Sequence, residues 1–484
     1  MKKYSPYLLL LALFYFPIFG FLDVLPIRIW DESRLALNAL EMSFNSDFIV
    51  TYFEGKPDMW NTKPPLLIWF QVLFIKMIGY SEVALRLPSA LAAFSTCSLV
   101  FYMTTRYLKS SVFGFITAFI IVTSVGFIGV HSSRTGDYDA LLAFFTTASS
   151  LSFFIFLESK KTKYIYFFFS LLALGVLTKS ITGLFFLPGL FLYTLITKNV
   201  LPMLRNKHFY FGVFIFLGIV FCYYFIRESQ NSGYLLTVWN NELGGRFANA
   251  LENNEESFWF YYDNLLNTRY AYWFILVPIG IVVGFLNKNE RIKRITVFST
   301  LLTITFVLII SSAKTKLIWY DVPMYPFLAV LAGNSVYLGF LILKDLKITD
   351  KFITLNVLPV LFIFVICTQP YREIMHLNYK PVEAKVNSTY SISYHLKSLL
   401  DNNLPLDFQY VVYEGYHAHI DYYLVLLDKE GKTSSLKSIS EVEVGDVIIL
   451  AQKELMDQLE LQFKYEIVRR SNQCKIYKIY ERIE

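Results

Sequence analysis

Charged residues are scarce in this sequence. Asp, Glu, Lys and Arg make up 17% of its 484 residues, against about 25% in soluble domains. That scarcity argues against a soluble globular protein, and the charges that exist cluster between long apolar runs. Cysteine is rarer still. Cys97, Cys222 and Cys367 lie within apolar runs, where a cysteine acts as a small hydrophobe, and Cys474 stands alone. There is thus no disulfide framework and no Cys-x-x-Cys metal pair. Internal repeats and low-complexity tracts are absent. The net charge of +6 builds no basic face, because Lys and Arg fall between apolar runs, which excludes nucleic acid as a partner.

Apolar sequence is abundant: 55% of residues are hydrophobic and 18% aromatic, with mean hydropathy +0.45. A lipid-spanning helix needs roughly 20 apolar residues. Candidate spans fall at 7–22, 84–104, 111–130, 139–157, 163–178, 181–197, 209–226, 269–286, 294–312, 318–340 and 352–368. The first follows Lys2-Lys3 as in a signal peptide, but no small-x-small cleavage site follows it, so it reads as a retained span.

The stretch 65–79 is ambiguous, being short and carrying Gln71 and Lys76. Cytoplasmic loops are enriched in Lys and Arg. The basic clusters are Lys2/Lys3, Arg106/Lys109, Lys160/Lys161/Lys163, Lys198/Arg205/Lys207, Lys288/Arg291/Lys293/Arg294 and Lys344/Lys347/Lys351. They share one side only if 65–79 does not cross, which makes it an expected amphipathic helix in the interface. The N-terminus is then inside. Segments 23–83, 131–138, 179–180, 227–268 and 313–317 and the tail from about 369 lie outside.

The expected domains are therefore 1–368, a polytopic α-helical membrane domain, and 369–484, a small extracytoplasmic α/β domain. In the tail, strand-like runs at Gln409–Tyr413, Tyr422–Leu427, Asp446–Ala451, Tyr465–Arg469 and Lys475–Tyr480 accompany a helical stretch near 391–401. Tyr413, Glu414, His417, His419 and Asp421 read as one polar face of a solvated strand, with a His-x-His metal site as the alternative.

The expected outer loops carry the chemistry. In Trp30-Asp31-Glu32-Ser33-Arg34, Asp31 either caps a helix or presents a carboxylate as general base or metal ligand. In Asn61-Thr62-Lys63-Pro64-Pro65 the prolines constrain the chain, and Lys63 either snorkels or binds a lipid phosphate. The loop His131-Ser-Ser-Arg134-Thr-Gly-Asp137-Tyr-Asp139 puts ionisable groups at a membrane edge, where they are functional candidates, and its two acids at i, i+2 can share a divalent cation. Lys314 and Lys316, kept outside against the charge bias, suit an anionic ligand. Thr178-Lys179-Ser180 repeats that theme.

These motifs resemble a known family. Asp31-Glu-Ser-Arg, Lys63-Pro-Pro-Leu, Arg86-Leu-Pro-Ser-Ala, Arg134-Thr-Gly-Asp-Tyr-Asp139, Leu177-Thr-Lys179 and Ser312-Ala-Lys-Thr-Lys316…Tyr320…Pro323-Met-Tyr-Pro326 follow in order over about residues 1–345. The set is similar to the GT-C glycosyltransferases of the protein-mannosyltransferase and aminoarabinose-transferase (ArnT-like) group. The resemblance implies a GT-C fold with about 11–13 transmembrane helices and interfacial helices in the first outer loop. It also implies a polyprenyl-phosphate sugar donor and inverting transfer of a hexosyl or pentosyl group at the outer face of the inner or plasma membrane. The acceptor would be lipid A, a cell-surface glycan or a protein.

Carried onto this chain, the resemblance makes Asp31 the base, with Asp139, or alternatively Asp137, as second acid. Glu32 joins the acidic set. Lys63 would hold the donor phosphate, with Lys314 and Lys316 lining the same site and Arg134 and Lys179 as further phosphate contacts. A divalent cation, if used, would sit among Asp31, Asp137 and Asp139. One departure stands out: aminoarabinose transferases usually carry Glu before Lys-Pro-Pro, and here that residue is Thr62. The rival reading is a transporter or flippase of lipid-linked glycans, which would be expected to show internal repeats and midplane sites.

Overall fold

The computed structural model describes residues 5–245, 255–345, 357–378, 388–471 and 473–483. Lys2, Lys3, Lys347 and Lys351 of the charge pattern lie outside the described residues. The chain is a helical bundle followed by a small mixed domain.

Among the described residues, seven helices are long and apolar enough to cross a membrane: Glu82–Leu108, Asp139–Ser159, Lys163–Leu184, Lys207–Gln230, Glu290–Ser312, Ile318–Asp345 and Val357–Leu377. An eighth forms if Phe260–Arg269 and Ala271–Leu286, bent by 104°, are taken as one broken span. Three expected spans are shorter helices, Ser5–Phe19, Ser111–Val122 and Leu187–Ile196. Local hydrogen bonds explain one of these breaks. Thr123 and Ser124 donate to the Phe119 and Ile120 carbonyls, competing with continuation of the helix, and the chain resumes as the short helix Val125–Ile128.

Helix starts follow capping chemistry. Ser81 accepts from the Ala84 amide and Glu82 stands in the first turn, where a carboxylate complements the helix dipole. Lys207–Gln230 has few buried residues and presents Phe214, Phe221 and Phe225 outward, as a lipid-facing helix should.

Helix Leu66–Ile78 forms as expected, but it is apolar on both faces: Leu66, Leu67, Ile68, Val72 and Ile75 are buried. Gln71 is buried and donates to the Leu85 and Gly136 carbonyls, while Leu73, Met77 and Ile78 are exposed. Gly136 is needed there, since a Cβ would lie 2.9 Å from both Gln71 Nε2 and the Leu85 carbonyl oxygen.

The tail holds a five-stranded sheet in the order β4-β3-β5-β7-β6. Its strands are β3 (Tyr410–Val412), β4 (Ser435–Lys437), β5 (Val447–Leu450), β6 (Phe463–Ser471) and β7 (Cys474–Arg482). A two-residue hairpin, β1 (Tyr52–Phe53) with β2 (Lys56–Pro57), precedes them in the first loop. Strand β3 runs parallel to β4 and β5, and β7 pairs antiparallel with β5 and β6.

The expected strand Tyr422–Leu427 is instead part of helix Ala418–Lys429. His417 and Asp421 therefore pair at i, i+4 on that helix, at 2.6 Å. His419 is buried and bonded to the Thr389 carbonyl, so neither the solvated strand face nor a His-x-His site is formed. The 368/369 position lies inside the continuous helix Val357–Asn378.

The tail docks on the first loop and on the start of helix Glu82–Leu108. Glu82 accepts from Lys397 at 2.7 Å and from the Tyr423 hydroxyl at 2.6 Å. That hydroxyl in turn accepts from the Ile27 amide.

Candidate active site

At one end of the bundle lies a cleft of about 490 Å³ whose lining includes Asp31, Lys63, His131, Asp137, Asp139 and Lys179. Segments remote in sequence meet there because the loops are tied to the start of helix Glu82–Leu108. Arg86 donates to the Leu22, Leu25 and Pro26 carbonyls and forms a two-pronged pair with Glu32 at 2.6 and 2.9 Å. Glu32 also accepts from the Arg28 and Gly136 amides. Ser89 donates to the Asp137 carbonyl. The Arg86-Leu-Pro-Ser motif is thus a clamp holding both acidic loops.

Glu32 was expected among the acids of the site, and the structure corrects this: it is buried behind the cleft and wholly engaged. Burial opposes its ionisation, but Arg86 and the two amides outweigh that and hold its carboxyl below the ordinary value.

Asp31 behaves differently. The helix begins at Asp31 itself, with Trp30 in the cap position at φ 73° and no side-chain cap bond. Asp31 is therefore not a cap. Its side chain is 58% exposed, and Oδ2 lies 3.7 Å from His131 Nδ1.

Asp137 Oδ2 approaches the same His131 Nδ1, at 3.5 Å, and its side chain is buried. Burial first, and then the charge of Asp31, push its carboxyl well above the ordinary range. Asp139 is removed from the free acids by a 2.6 Å ion pair with Lys179. Lys179 also lies 5.0 Å from the Tyr320 ring centre.

Lys63 enters the cleft as expected. Asp58 positions the segment leading to it by accepting from Arg34, Asn38 and the Trp60 and Asn61 amides. The Lys63 ammonium lies 3.5 Å from Glu242. Glu242, His131 as an acid-facing imidazole, and the cleft aromatics Trp319, Tyr320 and Tyr416 were not among the expected site residues. The motif quoted above did contain His131, whereas nothing near Glu242 in sequence points to Lys63, 179 residues away.

Three expected phosphate contacts do not line the cleft. Lys314 is exposed outside it. Lys316 is buried and donates to the Glu256 and Ala313 carbonyls at 2.9 and 2.6 Å. Arg134 donates to the Gly20 and Phe21 carbonyls, tying its loop to the end of helix Ser5–Phe19. Lys316 and Arg134 thus serve the loop framework, supplying donors to hairpin and loop carbonyls.

Residues 62–224 match the family described as dolichyl-phosphate-mannose-protein mannosyltransferase. With the bundle and cleft above, this makes the chain similar to the GT-C glycosyltransferases of the protein-mannosyltransferase and ArnT-like group, with the fold of a multi-pass membrane protein.

Among its relatives is the undecaprenyl phosphate-alpha-4-amino-4-deoxy-L-arabinose arabinosyl transferase of Aeromonas hydrophila subsp. hydrophila. It is 26% identical over 333 residues, covering 65% of this chain and 57% of that protein. An uncharacterized protein of Aquifex aeolicus is 27% identical over 371 residues, 75% of this chain and 80% of its own length. The fold is that of ArnT from Cupriavidus metallidurans, solved bound to undecaprenyl phosphate. That match has TM-score 0.71 and 14% identity, and covers 98% and 97% of the two chains.

Proposed function

We propose that the protein moves a hexosyl or pentosyl group from a polyprenyl-phosphate donor to an extracytoplasmic acceptor (lipid A, a surface glycan or a protein) by an inverting single displacement. The observation that carries this reading is the convergence, in one cleft at a bundle end, of a solvent-reachable carboxylate, Asp31, with two cations, Lys63 and Lys179. An anionic leaving group and a hydroxyl nucleophile need these opposite charges within one site.

In this reading Lys63 stabilises the phosphate as the glycosidic bond breaks, with Lys179 completing the positive wall. Asp31 takes the acceptor hydroxyl's proton. The good leaving group leaves positioning to supply much of the barrier reduction. A smaller apolar pocket adjoins the cleft, lined by Ile181, Phe185 and Ile310 and sharing Lys63 and Lys179 with it. It offers a path for the first isoprene units beside the phosphate. The basic-inside charge pattern supports an extracytoplasmic position for this face and the tail.

The test uses purified protein with a panel of radiolabelled polyprenyl-phosphate sugars. Label arriving on an acceptor with release of polyprenyl phosphate supports transfer. Donor crossing vesicles uncleaved, with no release, would instead establish the flippase reading.

A further inference from the structure

We propose that Tyr224 and Tyr234 are positioning residues for the donor phosphate, each fixing the backbone beside one of the two cations of the cleft. The inference rests on the reading of Lys63 and Lys179 as the cations that hold that phosphate. The Tyr234 hydroxyl donates to the Thr62 carbonyl at 2.7 Å, the peptide oxygen immediately before Lys63. The Tyr224 hydroxyl lies 3.1 Å from Ser180 Oγ, on the residue immediately after Lys179.

Both tyrosines stand on one support. Tyr224 is part of helix Lys207–Gln230, and Tyr234 opens the short helix Tyr234–Val238. Between them Glu228 accepts from the Gly233 and Leu235 amides at 2.8 and 2.7 Å. Gly233 takes φ 88°, which glycine adopts without strain. This turn brings Tyr234 back onto the helix, where its ring stacks with that of Tyr224, centroids 6.1 Å apart and planes 26° from parallel. One pair of rings thus sets the spacing between two lysine segments remote in sequence.

Two features exceed what packing requires. Ser180 takes φ 48°, a conformation a non-glycine residue keeps only where its surroundings impose it, and the Tyr224 hydroxyl grips its side chain. Arg227 is buried with its guanidinium 4.7 Å from the Tyr234 ring centre. Its Nη1 and Nη2 have no hydrogen-bond partner among the described residues, so the ring face is what answers the charge. A cation over that face draws electron density from the phenol and makes its hydroxyl a stronger donor to Thr62. The Thr62 hydroxyl in turn donates to Glu242 at 3.3 Å, and Glu242 lies 3.5 Å from the Lys63 ammonium.

A lysine is a point charge on a flexible stem. Stabilising a phosphate that gains charge as it leaves requires its cations in place beforehand, and a misplacement of about 1 Å is costly. Anchoring the backbone on either side of the phosphate supplies that order.

The test measures binding of undecaprenyl phosphate and of uncharged undecaprenol to full-length protein in nanodiscs. Wild type should prefer the phosphate. Tyr224→Phe and Tyr234→Phe, which keep the rings, should each cut that preference about 5-fold, the scale of one lost hydrogen bond, with undecaprenol binding unchanged. Tyr107→Phe, which loses a hydroxyl bonded to Glu158 at the far end of helix Glu82–Leu108, should keep the full preference. In a Lys63→Ala background Tyr234→Phe should have no further effect, because it acts through that lysine. Full preference in both tyrosine variants, or an equal loss for both lipids, would overturn the positioning role and leave the transfer reading intact. Equal binding of the two lipids by wild type would bring down the assignment of the lysines, and this proposal with it.

Discussion

Lys179 donates a 2.6 Å hydrogen bond to Asp139 beside the cleft, and both side chains are buried. This pair settles which of the two loop acids is free. Asp139 starts helix Asp139–Ser159 with its charge already answered, whereas Asp137, two residues earlier, has none.

Breaking that pair from one side should be worse than removing it. Lys179→Met leaves a buried carboxylate uncompensated and should destabilise the protein by about 3–5 kcal/mol. Lys179→Met with Asp139→Asn should lose much less than the sum of the two single changes. Denaturation of all three variants completes the cycle.

Glu32 and Asp31 are neighbours with different duties, and a stability measurement separates them. Glu32→Gln should lower stability by about 3 kcal/mol, as removal of one partner from a buried ion pair does. The folded carboxyl is held below its ordinary 4.5, so its contribution is complete above that pH and is lost as pH falls beneath it. Melting curves of wild type should therefore fall on acidification below 4.5 more steeply than those of Glu32→Gln.

The lysines should divide by position. Lys63→Ala should cut transfer by ~10²–10³-fold, the scale for losing one donor to a developing charge. Lys314→Ala should stay within about twofold of wild type, since an exposed substitution away from a site changes little. Initial rates at saturating acceptor distinguish them.

The motifs were legible because each is a local signature of a tie that the structure makes. Arg86 and Ser89 of Arg86-Leu-Pro-Ser hold both acidic loops, and Lys63 enters the cleft just ahead of Pro64-Pro65. Lys314 and Lys316 looked alike in sequence, yet one is exposed and the other is spent on carbonyls; only the path of the hairpin decides between them. Tyr422–Leu427 is a short apolar run whose period does not distinguish strand from helix. Burial of Ile420, Tyr422, Tyr423, Leu426 and Leu427 against neighbouring elements made it a helix. Glu242 reaches Lys63 only through the fold.

The tail carries its own pH dependence. Burial lowers the His419 pKa to about 4 from 6.5, and its Nδ1 is buried without a partner. Between those values the unfolded chain binds the extra proton, so stability is complete above 6.5 and falls as pH drops toward 4, by about 3 kcal/mol. In His419→Gln this part of the pH dependence should vanish, as read by thermal unfolding of the full chain at pH 7 and pH 4.5.

The most direct test of the account is sugar transfer by wild type and Asp31→Asn, with melting temperature measured alongside. Asp31 is solvent-reachable and engaged in no cap, so the variant should fold and melt as wild type while transfer drops by ~10²–10⁴-fold, the range for removing a general base. Undiminished transfer in a folded Asp31→Asn protein would contradict the assignment of Asp31 as the base that activates the acceptor.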